Sequence, residues 1–151
     1  MAEDPAAMAR AIVDANLYMV LGTADDAGRP WVSPVYFAHM AYREFFWVSK
    51  PDATHSTNIE SRSDVSIVIF DSSVPISTGR GLYMRATAQE LTGEERTEAI
   101  DVFSRRSLAH GGGEFTLADV EPPEARHRLY RAVATEHSVL DSNDYRIPLS
   151  L

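Results

Sequence analysis

Residues 49–58 read Ser-Lys-Pro-Asp-Ala-Thr-His-Ser-Thr-Asn, and these residue types at this spacing could hold an anion. After the break at Pro51 and Asp52, residues 54–62 can make two helical turns capped by Thr54 or a neighbour. The first amides of such a helix lack intrahelical acceptors and sit at the positive end of its dipole, so they attract negative charge. Ser49, Thr54, Ser56 and Thr57 add hydroxyl donors, and Lys50 adds a full charge. The same polar residues would serve equally as caps of a short surface helix, and spacing alone leaves both readings open.

Other catalytic patterns are missing. The histidines His39, His55, His110, His127 and His137 show no HExxH spacing, and taken singly each reads as a surface or capping residue. Neither a Gly-x-Ser-x-Gly elbow nor a Gly-x4-Gly-Lys phosphate loop occurs. With 0 cysteines, a disulfide framework, a thiolate metal site, an iron–sulfur cluster and a Cys nucleophile are excluded, and no metal is expected. Twenty-two acidic side chains against 14 basic ones give a net charge of −8, which opposes nucleic-acid binding unless a basic patch overrides it, and none is visible. Lys50 is the only lysine; the other basic residues are arginines, whose fork suits phosphate and carboxylate, although composition alone assigns them no role. No apolar run approaches the roughly 18 residues of a membrane span. Residues 1–10 are acidic and Ala-rich, unlike a signal peptide, so the expected location is cytoplasmic.

The elements that must position this cluster follow from periodicity and turn chemistry. Residues 4–16 read as an amphipathic helix with Asp4 as cap and Pro5 just inside it. Residues 17–23 and 31–37 read as a hairpin around Asp25, Asp26 and Gly28. Pro34, inside the second run, implies an edge strand, a bulge or a ligand beside it. Further strands are expected at 44–49, 65–70, 82–91, 128–140 and 145–149, with Ala86 and Ala88 allowing close packing. Thr92 and Glu95 suggest a capping box opening a helix to about Leu108, ended by the glycines at 111–113, and one helical turn is expected at 116–120. Six or seven consecutive strands with about three helices predict an antiparallel β-barrel with helical decoration, in one domain spanning 1–151. Trp31, Tyr36, Phe45, Phe46 and Trp47 suit a barrel core or dimer seam better than a ligand wall.

In this order of elements the sequence resembles the pyridoxamine 5′-phosphate oxidase-like flavin-binding split-barrel family. The stretch LGTADDAGRPWVSPVYF resembles its first hairpin, and FFWVSKPDATHSTNIESRSDVSIVIFD its third strand, phosphate-binding helix and fourth strand. LYMRATAQELTGEE resembles its fifth strand entering a helix, and RLYRAVATEHSVLD with DYRIPLSL its last two strands. The resemblance implies a mainly β, six- to seven-stranded antiparallel split barrel. It implies a homodimer holding flavin mononucleotide (FMN) at the subunit interface, and flavin-mediated hydride or electron transfer with a small organic substrate. Trp31, Val32, Ser33 and Pro34 then lie along the ring or ribityl side, and Ser49 matches a phosphate-contacting hydroxyl. His55 stands where many members carry a phosphate-binding lysine, Ser33 where the oxidases proper carry an arginine, and Gly81 where some place a ring-bonding glutamine. With two permanent cations gone, Lys50 and Arg80 are left to meet the phosphate, alongside Thr54, Ser56 and Asn58. Because the flavin ring carries the chemistry, no acid–base or nucleophile constellation is required. The same barrel accommodates an F420-dependent reductase, a non-catalytic flavin- or heme-binding protein, or a cofactor-free dimeric interaction module.

Overall fold

The computed structural model describes residues 4–151. Eight antiparallel strands form one sheet: β1 (Tyr18–Ala24), β2 (Pro30–Tyr36), β3 (Ala38–Met40), β4 (Glu44–Ser49), β5 (Asp64–Phe70), β6 (Gly81–Glu90), β7 (Arg128–Leu140) and β8 (Arg146–Leu149). Their order is β2-β1-β5-β6-β7-β4-β3, and β8 pairs the far half of β7. The outermost strands, β2 and β3, are separated in sequence by Phe37 alone. One residue spans at most about 3.6 Å, so the two edges of the sheet must meet. The sheet therefore curls into a half-barrel whose seam, between β2 and β4, has contacts but no hydrogen-bonded ladder.

The antiparallel split barrel is thus the fold, with one strand more than expected. The addition is β3, too short at three residues to leave a periodic signal. Pro34 does sit on an edge strand, where a missing N–H costs least.

The barrel interior is filled by Met19, Leu21, Phe45, Trp47, Ile67, Ile69, Leu82 and Met84, with Ala86, Ala88, Ala132 and Ala134 on its small-residue side. Helix α1 (Pro5–Ala15), capped by the Asp4 carboxylate on the Ala6 amide at 3.2 Å, packs Ala9 and Val13 into that interior. Helix α3 (Glu95–Ala109) covers the opposite face of β4, where Phe46 joins Ile100, Phe103 and Leu129 in a second cluster. Strand β4 is therefore buried on both faces, which is why its apolar run is uninterrupted. The Thr92–Glu95 capping box is not formed; α3 starts after Glu94 with no side-chain cap. The box forms instead at the 3₁₀ turn Leu117–Asp119, between Thr116 and Asp119.

Arg106 of α3 fastens the seam. Its guanidinium donates to the carbonyls of Phe37, Asn16 and Val13 at 2.9, 2.9 and 3.2 Å and lies 4.3 Å from the centre of the Phe37 ring. On the far side buried His137 and half-buried His39 brace the β3–β4 turn, where Ala41 and Tyr42 adopt φ of 52° and 57°. His137 Nε2 donates to the Tyr42 carbonyl at 2.8 Å, and His39 Nδ1 accepts from the Tyr42 amide at 3.2 Å. Burial pushes both imidazoles below their ordinary titration range.

A histidine depressed in this way stabilises the fold fully above the unfolded value near 6.5, and that stability drains as pH falls toward the folded value, because only the unfolded chain takes up the proton. Urea unfolding followed from about pH 7.5 to 5 should show falling stability, and His137→Gln, which keeps a donor for the Tyr42 carbonyl but does not titrate, should flatten that slope. An unchanged slope would remove His137 from this role.

Candidate functional site

A cavity of about 710 Å³ opens along the seam. Its sheet side comes from Pro34, Tyr36, Val48 and Ser49, and its helical side from Phe103, His110, residues 111–113 and Phe115. It exists because β2 and β4 converge without pairing, leaving a slot that α3 and the segment after it roof over.

Ser49 and His55 bring the start of α2 to this cavity. Helix α2 (Thr54–Ser61) begins after Ala53, which has no side chain able to cap it, so the cap expected from Thr54 is absent and Thr54 is the first helical residue. The first helical bond runs from the Thr57 amide to the Ala53 carbonyl at 3.0 Å, leaving the amides of Thr54, His55 and Ser56 without helical acceptors. Beside them, Ser49 Oγ at the end of β4 lies 2.8 Å from His55 Nε2. His55 is buried, and desolvation holds its imidazole below the ordinary range, so the pair rests neutral at physiological pH. Lys50, exposed between them in sequence, can bring a charge to the rim. The donor set of helix amides, a hydroxyl, an imidazole and one flexible ammonium fits a phosphate monoester.

The other expected residues lie elsewhere in the single chain. Val32 is 66% exposed and borders a separate groove on the outer face of the sheet, and Trp31 beside it is 52% exposed. Ser33, half-buried on β2, does not line the seam cavity. The Asn58 amide is buried and donates to Thr23 Oγ1 at 3.0 Å, tying α2 to β1. Ser56 is buried on another face of α2, toward Tyr130. Arg80 donates to the Thr78 and Gly79 carbonyls of its own loop. The structure thus brings Pro34, Ser49 and His55 into one cavity; Lys50 and Thr54, their sequence neighbours, do not line it.

The helical wall was not legible as a site. Tyr36, Phe103, His110, Phe115 and His127 meet only because α3 folds across the seam. Tyr36 is held edge-on against Tyr18, Phe103 and His110, and its hydroxyl lies 2.8 Å from His110 Nδ1. The one available signal was a histidine at a helix C-terminus followed by three glycines.

A family model described as pyridoxamine 5′-phosphate oxidase matches residues 6–139. Among solved structures, a heme binding protein from Mycobacterium smegmatis is similar with a TM-score of 0.78 at 14% identity, over 99% of this chain and 59% of that one. The chain therefore spans well under two thirds of that protein's length. The heme storage protein HutZ from Vibrio cholerae is similar with a TM-score of 0.69 at 19% identity, over 87% of this chain and 91% of that one. A FAD-binding protein from Mesorhizobium loti gives 0.65 at 19% identity, over 89% and 92%. At these identities the similarities establish the fold. No curated protein matches the chain.

If the α2 corner holds anions, inorganic phosphate titrated into the protein should shift the amide resonances of Thr54, His55 and Ser56 together. Lys50→Ala should weaken that titration by roughly threefold to tenfold, the scale of one charge-assisted contact. Shifts confined to other segments would place the anion site elsewhere.

Proposed function

Because the chain belongs to the pyridoxamine 5′-phosphate oxidase family, we propose that it holds FMN in the seam cavity and acts as a flavin-dependent oxidoreductase on a small organic substrate. The observation that carries this reading is the Ser49–His55 pair, which joins the end of β4 to the uncapped start of α2 and lines an aromatic-walled cavity. The α2 amides, Ser49 and Lys50 would take the phosphate, while Pro34, Tyr36 and Phe103 would flank the apolar part. A bound flavin supplies hydride and electron transfer through its ring. The chain's own work is then to grip the tail, exclude water from the slot and orient the substrate.

The expected homodimer also finds support. On the outer face of the sheet, Pro34, Val20, Val68, Tyr83, Ser138 and Pro148 lie side by side across six strands. This mostly apolar row borders a groove of about 680 Å³, with exposed Val32 beside it. A second copy of the chain is the occupant we assign to it. Pro34 belongs both to this row and to the seam cavity, so a copy seated there would help close the cofactor site. Such a copy would also cover Val32. Among the described residues no helix is long and apolar enough to cross a membrane.

A heme reading is favoured by one specific feature. His55, His110 and His127 all line the cavity, and a neutral imidazole is a common axial ligand of heme iron.

The visible spectrum of freshly purified protein, with mass spectrometry of whatever heat releases, decides between them. A flavin spectrum bleached by dithionite and release of FMN is the expected result; a heme spectrum abolished by His127→Ala or His110→Ala would redirect the assignment. His55→Ala should weaken FMN by about tenfold while barely changing riboflavin, since only the phosphorylated ligand uses that corner. Equal losses for both ligands would misplace the phosphate. Val68→Arg should yield a monomer in sedimentation and lower FMN affinity with it; a dimer that persists would move the interface to another face.

A further inference from the structure

Within the same cavity, Tyr36 on β2 and His110 at the C-terminus of α3 form a hydrogen-bonded pair whose members both line the slot. We propose that this pair delivers the proton that accompanies hydride transfer to a neutral, conjugated carbonyl substrate of the quinone class. The inference rests on the flavin reading above and deepens it.

Three features carry it. Tyr36 is immobilised by edge-on contacts with Tyr18, Phe103 and His110, so its hydroxyl has a fixed position. Burial holds that hydroxyl above its ordinary range, so it stays a donor. His110 is exposed and can exchange protons with water, whereas Tyr36 is not. The surroundings also select the substrate. Leu17, Phe103 and Phe115 give the cavity an apolar wall, and the Tyr36 phenol is a donor beside it. The groups facing Tyr36 that carry or can take charge are Tyr18 on β1 and Arg106 on α3, with His55 and His127 on the cavity wall. The Arg106 guanidinium is already committed to three backbone carbonyls.

Reduction of a quinone takes one hydride, two electrons with one proton, from the reduced flavin and a second proton from elsewhere, giving the hydroquinone. When His110 is protonated from water, its Nδ1–H donates to the phenol oxygen and the phenolic hydrogen is free to turn toward the substrate. Tyr36 passes that hydrogen to the substrate oxygen and recovers one from Nδ1, returning His110 to its neutral form. Atoms and charge then balance, with water as the proton source.

The test compares two acceptors reacting with pre-reduced, FMN-loaded protein under anaerobic stopped flow. A 1,4-naphthoquinone needs the proton; ferricyanide takes single electrons and needs none. Tyr36→Phe should lower the ratio of quinone to ferricyanide rates about 100-fold, within the range of general acid catalysis. His110→Gln, which can accept the phenol hydrogen bond but cannot relay a proton, should lower it similarly, and free imidazole should restore the ratio in His110→Ala. In the apoprotein, ¹⁵N spectra should show His110 Nδ1 as a hydrogen-bonded acceptor that loses this signature in Tyr36→Phe. A rate ratio unchanged in flavin-loaded Tyr36→Phe, or equal losses with both acceptors, overturns the inference and leaves the flavin reading standing. Failure of the wild-type protein to take up flavin overturns both.

Discussion

The single residue between β2 and β3 governs this structure. Because Phe37 alone joins the two outermost strands, the sheet cannot lie open. The curl it imposes encloses the Phe45, Trp47 and Ile67 interior and brings β2 against β4 without enough room or register to pair them. The unpaired seam is what becomes the cavity. Arg106 then holds α3, the end of α1 and Phe37 at one point, using three backbone carbonyls rather than a carboxylate. Its charge is spent on neutral acceptors, so it stiffens the seam without neutralising any acidic group there.

The corner proposed for the phosphate is notable for its donors. In a chain of net charge −8, a site relying on one exposed lysine would attract a phosphate weakly from a distance. The short-range donors are fixed by backbone geometry: three helix amides left free because alanine precedes them, and a serine aligned by the buried imidazole. Such a site recognises shape and donor direction more than charge. An anion arriving beside His55 would favour its protonated form, so the missing permanent cation can be supplied by a proton when the ligand is present.

The cavity lining combines two chemically distinct groups of residues that the fold brings together. The part from the end of β4 and the start of α2, Ser49 and His55, is polar. The part beside α3 is aromatic, with one phenol paired to one solvent-facing imidazole. Rings packed edge-on hold the phenol without using its hydroxyl, leaving that group to His110 and the slot.

Much of this was legible in the chain itself. Strands β4 and β7 could be placed to the residue because turn chemistry and β-branched or aromatic runs bound them sharply, and Pro34 announced an edge. The helix at 54–61, with His55 inside it and Ser49 just before it, was visible because all of it lies in one short stretch of sequence. Strand β3 was invisible because three residues carry no period. Asn58 looked like a ligand contact because sequence cannot reveal that Thr23, 35 positions away, consumes its amide. Tyr36 and His110 are 74 positions apart and become partners only through the crossing of α3 over the seam. Local propensity thus determined the elements and the polar stretch around α2, since both depend on neighbours along the chain. The closure at Phe37, the cavity and the pairing of groups across it were decided by tertiary structure, because they depend on which surfaces curl together.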